Sequence, residues 1–196
     1  METILFIDGR NFIDKISSVL NQNNGKDVDF SIYNFKGLID KVLSGINIDK
    51  KIFYLGKLMK HPETIKKSEE LVEKQRKLKT HLEEQGFEVV IAGRVRGHIE
   101  KCIKGHETLT FREKGVDVKI AVDMIVSACD EGLKTAIIGS SDSDLQPAIR
   151  ELQERKVERI YLGFESNPNK GLTFTTNRTV LIRNSEVFEF AGKTLI

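Results

Sequence analysis

Hydrophobic residues in this chain occur in short continuous runs, separated by polar turn residues and by longer amphipathic stretches. A strand with one exposed face would instead alternate between hydrophobic and polar positions. Continuous runs of three or four residues are typical of strands that are buried on both faces of a sheet. The runs span residues 4–7, 52–55, 89–92, 136–138 and 160–162.

The stretches between these runs carry helical patterns. Residues 62–85 have Pro62 in the first turn and stop at Gly86, and these residue types are favoured at the start and the end of a helix. Residues 116–128 and 145–154 each place hydrophobic or small residues on one face with the period of a helix. The alternation of strands and helices predicts an α/β fold, a three-layer α/β/α sandwich with a central, mainly parallel sheet.

Three segments interrupt this alternation. Residues 21–35 begin with an Asn-rich stretch and predict a polar loop. Residues 93–114 contain glycines at 93, 97 and 105 among many charges, and predict a hairpin or mobile flap inserted into the domain. Residues 168–196 predict a short helix followed by a strand at 180–182. The length of 196 residues fits a single domain that spans residues 1–196.

Composition and charge limit the environment and the partners. The chain is 39% hydrophobic and 31% charged. It contains no hydrophobic run near the roughly 20 residues that a membrane helix needs, and its first residues do not resemble a signal peptide. We therefore expect a cytoplasmic protein with no membrane partner. The net charge of +2 means that a nucleic acid would be bound by a local basic patch rather than by the overall charge.

Aspartates follow two of the predicted strands, at the edge of a parallel sheet where ligands bind. Asp8 follows the first strand, and Asp142 and Asp144 follow the strand that ends at residue 139. Asp117 stands at the start of the helix predicted from residue 116, and Asp123 lies further along it. Converging carboxylates need a cation to offset their repulsion, and their oxygen ligands suit Mg²⁺ or Mn²⁺.

Each aspartate also has an ordinary structural explanation. Asp8 with Gly9 suits a turn, Asp117 complements a helix dipole, and Asp144 suits the N-cap of a helix. Asp123 lies about 240° around the helix from Asp117, so the two side chains cannot face one ion equally. The presence of several aspartates at one sheet edge, rather than any single one, indicates a functional site.

Three sequence blocks, in this order, resemble the NYN family, the PIN-like nuclease relatives that include the LabA and DUF88 proteins. The blocks are ILFIDGRN at residues 4–11, EKGVDVKIAVDM at 113–124 and IGSSDSDLQPAI at 138–149. Two positions depart from the family pattern: Ser141 replaces a usual glycine, and Asn177 stands where the family tends to have an aspartate. The resemblance implies a PIN-like, Rossmannoid form of the α/β sandwich.

The same resemblance implies a function. Family members are expected to be Mg²⁺- or Mn²⁺-dependent ribonucleases, in which a metal-activated water hydrolyses RNA phosphodiester bonds. The expected partner is RNA, single-stranded or structured, and whether the chain forms a homodimer stays open. The implied metal ligands and catalytic acids are Asp8, Asp117, Asp142 and Asp144, with Asn11 and Asp123 as supporting catalytic residues.

Basic residues supply the candidate substrate contacts, because Lys and Arg bind phosphates independently of sequence. The basic segment 94–114 leads directly into Asp117, whereas the basic residues of 57–79 fit the solvated face of a helix. A zinc site at His98, Cys102 and His106 is disfavoured by the intervening glycines and by the lack of a fourth ligand. The predicted substrate contacts are Arg10, Arg94, Arg96, Arg112, Lys114, Ser140 and Ser141.

Other functions fit the sequence less well. A catalytically silent RNA- or nucleotide-binding NYN module would gain nothing from four acids clustered where phosphates must lie. A phosphotransferase of the haloacid-dehalogenase class needs a second acid two positions after Asp8, where this chain has Arg10. A Toprim-like site needs a glutamate in place of Asp8. No Gly-rich phosphate loop of the Walker type is present in the sequence.

Overall fold

The computed structural model describes residues 1–24, 28–58, 65–101, 107–130 and 132–192. The strands in this part are β1 (Glu2–Asp8), β2 (Lys50–Gly56), β3 (Glu88–Ala92), β4 (Arg94–Lys101), β5 (Glu107–Lys114), β6 (Leu133–Gly139), β7 (Glu158–Phe164) and β8 (Arg178–Ile182). A six-stranded sheet has the order β3-β2-β1-β6-β7-β8, and each neighbouring pair in it is parallel. The strands β4 and β5 form a separate antiparallel pair.

Helices cover both faces of the six-stranded sheet. Leu5 and Ile7 of β1 belong to one hydrophobic core, and Ile4 and Phe6 belong to a second core on the opposite face. All four side chains are fully buried, which explains the continuous hydrophobic run in the sequence. The predicted three-layer α/β/α sandwich is therefore confirmed. The first core takes side chains from α1 (Gly9–Asn24), α2 (Phe35–Val42), α3 (Ile65–Glu84) and α7 (Asn184–Glu189), and the second from α4 (Val116–Asp130), α5 (Gln146–Glu154) and α6 (Lys170–Thr175).

The chain adds strands first on one side of β1 and then on the other. The chain first builds the sheet outward from β1 through β2 to β3, and then returns to the other side of β1 with β6, β7 and β8. Ile4 to Ile7 of β1 pair in register with residues 136–139 of β6, so the two strands end side by side. The crevice beyond these two carboxyl ends is the switch point at which open α/β sheets bind ligands.

The β4–β5 hairpin is joined to the start of α4 by Gly115 alone. Gly115 has a φ of +89° and Gly93, at the other side of the hairpin base, has a φ of +61°. Both values lie in the left-handed region that glycine adopts at low cost. A Cβ atom on Gly93 would lie only 2.3 Å from the carbonyl oxygen of Lys114. The two glycines thus allow the close packing that turns the chain from β5 into α4.

The structure agrees with most of the predicted elements and corrects one of them. The five hydrophobic runs lie in β1, β2, β3, β6 and β7, and the predicted helices correspond to α3, α4 and α5. The predicted start of the first of these helices, at 62–64, falls outside the described residues. The polar-loop prediction for 21–35 was wrong at residues 21–24, because α1 continues through them. Phe12, Ile16 and Val19 anchor this helix in the core, and their packing outweighs the weak helix propensity of its Asn-rich last turn.

Candidate metal centre

Asp8 is fixed at the junction where β1 passes directly into α1. A Cβ atom on Gly9 would lie 2.4 Å from the carbonyl oxygen of Tyr54 and 2.5 Å from the ring of Phe53, so a larger residue cannot follow Asp8 without moving β2. The Asp8 Oδ1 atom accepts a hydrogen bond from the Asn11 backbone N–H at 3.1 Å, as a helix-capping carboxylate does. The side chain is 7% exposed and stands at the carboxyl edge of the sheet.

The loop after β6 is tied to this junction by two sets of hydrogen bonds. Ser140 Oγ donates to Asp8 Oδ2 at 3.2 Å and accepts from the Asp142 backbone N–H at 3.1 Å. Asn11 Oδ1 accepts from the backbone N–H of Ser141 at 3.1 Å and from its hydroxyl at 2.8 Å. The bonds to Asp8 and Asn11 join the β1–α1 junction to the loop after β6. They therefore fix the position of the loop after β6 relative to Asp8.

Three carboxylates from two separate segments meet beside Asp8. Asp142 follows β6 and its Oδ1 accepts from the Asp144 backbone N–H at 2.9 Å, while Asp117 comes from the first turn of α4. One oxygen from each of Asp117, Asp142 and Asp144 lies within 4.8 Å of the others. Asp117 and Asp142 are half-buried and Asp144 is exposed. All three line a cleft of about 560 Å³ that Asp8 and Asn11 also line.

The pKa of Asp8 is shifted mainly by burial, and the neighbouring carboxylates add to the shift. Burial raises the pKa of the Asp8 carboxyl, and the hydrogen bonds from Asn11 and Ser140 lower it in part. The negative charges of Asp142 and Asp117 raise the Asp8 pKa further. Desolvation and the neighbouring negative charges both disfavour the ionised form of Asp8, and a bound cation would stabilise that form.

The donor set fits a hard divalent cation. Mg²⁺ holds its oxygen ligands at about 2.0–2.1 Å, so two ligands on opposite sides of the ion are about 4.2 Å apart. The oxygens of Asp117, Asp142 and Asp144 already lie within 4.8 Å of one another and need only small side-chain movements to reach such distances. Oxygen donors without thiol or imidazole favour Mg²⁺- or Mn²⁺-type ions over softer metals. The acidic group can therefore bind a metal ion.

The predicted substrate contacts differ in their positions relative to the cleft. Arg10 and Lys114 line the acidic cleft, and Arg10 Nε forms an ion pair with Asp14 at 2.6 Å. Ser140 is buried and Ser141 is half-buried; neither lines the cleft, and both form the hydrogen bonds to Asp8 and Asn11 given above. The hairpin residues are Arg94, which is exposed, and Arg96 and Arg112, which are register partners with side chains outside the described part.

Two other sequence predictions concern residues that the structure places elsewhere. Asp123 does not line the cleft, and its carboxylate accepts from Tyr54 Oη at 3.0 Å and from Lys119 Nζ at 2.6 Å. The structure therefore does not bring Asp123, predicted as a supporting catalytic residue, together with the other predicted acids, in keeping with its position around α4 from Asp117. Asn177, the departure from the family pattern, precedes β8 and accepts hydrogen bonds from the Arg159 guanidinium. It therefore lies at the amino edge of the sheet, opposite the acidic cleft.

Glu113 is a cleft residue that was not among the predicted site residues. Glu113 is half-buried and lines the cleft from the hairpin side. Burial raises the pKa of its carboxyl, and the negative charge of Asp8 raises it further. The Gly56 backbone N–H and the charge of Arg10 lower the Glu113 pKa in part. The position of Glu113 directly before the Lys-Gly-Val-Asp block was visible in the sequence, but its contact with β2 was not.

Asn169 is a second residue that the sequence did not single out. Its Nδ2 donates to the backbone carbonyl of Ser141 at 2.8 Å, and its Oδ1 accepts from the Leu172 N–H and so caps α6. The Asn169 backbone N–H in turn donates to Tyr161 Oη at 3.0 Å. The acidic loop is thus supported from the C-terminal side as well as from α1.

Comparison with known proteins gives the chain a family. Residues 2–182 match the family model of the NYN domain, which is nearly the whole chain. The chain belongs to the NYN domain family. This family is nuclease-like, so the NYN assignment implies a nucleic acid as substrate, and the acidic group Asp117, Asp142 and Asp144 gives that chemistry a place in the fold.

A solved structure supports the fold of this NYN domain. A protein of unknown function from Vibrio parahaemolyticus is similar with a TM-score of 0.56 and 18% sequence identity, over 92% of this chain and 93% of that one. At this identity the likeness concerns the fold alone. No curated protein matches the chain. None of the helices in the described residues is long and hydrophobic enough to cross a membrane.

Proposed function

We propose that this NYN domain is a metal-dependent ribonuclease that hydrolyses RNA phosphodiester bonds at the acidic cleft. The observation that carries the proposal is the meeting of Asp117, Asp142 and Asp144 within 4.8 Å, at the switch point of a parallel sheet, in a nuclease-like family. Three carboxylates so close together repel one another, and a bound cation would offset this repulsion. A catalytically silent module that binds RNA without a metal ion would gain nothing from concentrating negative charge where phosphates must lie.

The proposed roles follow from the positions of the side chains. Asp117, Asp142 and Asp144 would hold Mg²⁺ or Mn²⁺, with Asp8 beside them as the fourth acid. Such an ion acts as a Lewis acid, lowering the pKa of water and offsetting charge on the phosphodiester. Ser140 and Asn11 hold the acidic loop next to Asp8 through the hydrogen bonds described above.

Positive residues near the cleft would position the RNA. Arg10 and Lys114 line the cleft and would contact the phosphate next to the scissile bond. We propose Arg94, Arg96 and Arg112 of the hairpin as further phosphate contacts. We also propose that residues 1–196 work as a single domain with the hairpin as its insertion.

The proposal is tested with purified protein, a 5′-labelled single-stranded RNA and Mn²⁺. Cleavage should depend on Mn²⁺ and stop when EDTA is added. Asp142→Asn should lower the cleavage rate by at least about a hundredfold, the scale of losing one electrostatic contact to the transition state. The matched control is Asp130→Asn, which changes an exposed aspartate at the far end of the same helix as Asp117 and should cleave normally.

Two results would contradict the proposal in different ways. Equal cleavage by the wild type and by Asp142→Asn would show that the activity comes from a contaminant or from another site. Mn²⁺ binding by the wild type without cleavage of any RNA or DNA strand would show a silent binding module instead.

A further inference from the structure

A second cleft of about 780 Å³ lies directly beside the acidic one. It is bounded by α1, by residues 28–31, by the end of β2, by α3 and by the base of the hairpin. Arg10, Asp14 and Glu113 line both clefts, so the two share a wall made of side chains. The volume lies within the range of about 300–1,000 Å³ that is usual for small-molecule sites.

The lining of this second cleft differs in character from that of the acidic one. Most of its wall is hydrophobic, with Leu55, Leu58, Leu71, Leu78 and Val95 among the lining residues. Its charged residues balance, because Arg10, Lys74 and Lys77 oppose Asp14, Asp29 and Glu113. A hydrophobic cleft without net charge suits a flat, uncharged group, and it suits neither a phosphate nor a metal ion.

Phe30 gives this cleft an aromatic wall. The ring is only partly buried, and it is backed by Tyr33 and Phe35 at centroid distances of 6.1 and 6.2 Å. Tyr33 and Phe35 are themselves almost fully buried, so the ring of Phe30 has a firm support. Partly exposed aromatic rings are the surfaces on which proteins stack unpaired bases.

Two lysines stand on the rim of the same cleft. Lys74 and Lys77 are exposed and lie one turn apart on α3, so their side chains project from neighbouring positions. Both are close enough to Asp29 for their charges to lower the pKa of its carboxyl, after the larger effect of the Ser31 hydrogen bonds. They can contact the phosphates on the outer side of a base that enters the cleft.

We propose that the second cleft is a nucleobase-binding subsite, which takes one unpaired base of a single-stranded RNA next to the phosphate held at the acidic cleft. The proposal rests on the proposed ribonuclease function for the identity of its occupant. Because Arg10 and Glu113 line both clefts, a base bound in the second cleft would leave its phosphate at the acidic one. A base can enter only after it leaves its stack, so the enzyme should act on unpaired strands.

The experiment measures binding in EDTA, where no cleavage occurs, with a fluorescent oligoadenylate as the probe. A series of the same oligonucleotide with a single abasic nucleotide moved along the strand tests which base matters. One position should lower the affinity of the wild type by about tenfold or more, the scale of losing one stacked base. With Mn²⁺, the cut in the intact strand should fall beside that nucleotide.

Variants test the cleft itself. Leu71→Trp should fill part of the cleft, lower the affinity by about tenfold and remove the difference between intact and abasic strands. Its matched control is Ile91→Trp, at an exposed hydrophobic residue of β3 away from the cleft. Lys74→Gln and Lys77→Gln should each reduce the slope of log affinity against log salt by about 0.7, whereas Lys79→Gln on the same helix should not.

The outcomes separate this proposal from the ribonuclease proposal. Cleavage of RNA with equal affinity for every abasic strand overturns the base subsite and leaves the ribonuclease standing. Binding that depends on one base and on Leu71, without cleavage, keeps the subsite and overturns the ribonuclease. Failure of the oligoadenylate to bind both in EDTA and, with the slow-cleaving Asp142→Asn variant, in Mn²⁺ is expected if a protein segment covers the cleft, and it overturns the subsite.

Discussion

The acidic cluster should make Asp142→Asn stabilising without a divalent cation and destabilising with one. The exchange is nearly isosteric, and the asparagine Oδ1 can still accept the Asp144 backbone N–H. The variant removes the Asp142 charge from its pairs with Asp117 and Asp144, whose ligand oxygens all lie within 4.8 Å. A pair at this distance repels by about 0.9 kcal/mol in a water-like dielectric, which is the suitable value for these partly exposed groups.

Two such pairs give a gain of about 2 kcal/mol in the free energy of unfolding for the variant in EDTA at low salt. For a chain of 196 residues this corresponds to a rise in Tm of about 3–7 °C. Mn²⁺ at a hundred times its Kd stabilises the wild type by about 2.7 kcal/mol, or about 5–11 °C, through binding to the folded state. The variant should lose most of this second effect, so the order of the two melting temperatures should reverse when Mn²⁺ replaces EDTA.

The assay is thermal unfolding of both proteins, followed by circular dichroism in EDTA and in Mn²⁺. Asp130→Asn serves as the control, because its effect should be the same in both solutions. The reasoning fails if the difference between the wild type and Asp142→Asn keeps the same sign and size in EDTA and in Mn²⁺. That result would mean that the three carboxylates do not share a cation.

Two further predictions concern the β1–α1 junction. Gly9→Ala should lower the free energy of unfolding by about 3 kcal/mol or more, the upper range for overpacking, because its Cβ would lie 2.4 Å from the Tyr54 carbonyl oxygen. Urea unfolding measures this loss. Gly192→Ala, whose Cβ would have its nearest contact at 3.5 Å, is the control with a small expected effect. Asp8→Asn should gain stability relative to the wild type as the pH rises above the ordinary carboxyl value of 3.8. At Asp8 the folded wild type, with its raised pKa, binds more protons than the unfolded chain, so the contribution of Asp8 to stability falls as the pH rises through that interval. Urea unfolding in EDTA at several pH values would contradict this if the difference between the two proteins stayed constant.

The fold was accessible from the sequence because its central strands are buried on both faces. Such strands leave continuous hydrophobic runs, and Asp8 and Asp142 lie at or just after the ends of two of them, so the sheet edge could be inferred from the sequence alone. Helix geometry alone separated Asp123 from Asp117, whereas the family resemblance counted Asp123 among the supporting catalytic residues. It lies off the cleft and contacts Tyr54 and Lys119 instead.

Other features depend on contacts between distant segments and leave no local pattern. Glu113 reaches the cleft because Gly56 has no side chain: a Cβ atom there would lie 2.2 Å from the Glu113 Oε2 atom. The hydrophobic cleft takes residues from α1, β2, α3 and the hairpin, and no single segment shows its shape. The end of α1 was missed for a related reason, because tertiary packing of its earlier turns extends the helix into residues of low propensity.

The one-residue link at Gly115 has a mechanical consequence for the whole molecule. Because a single residue separates the hairpin from α4, the connection has no slack, and a tilt of the hairpin must carry the first turn of α4 with it. Asp117 stands in that turn, so a strand of nucleic acid that pulls on the hairpin would also shift one of the three carboxylates. If the hairpin binds the substrate as proposed, this rigid one-residue link would couple substrate binding to the positions of the acids.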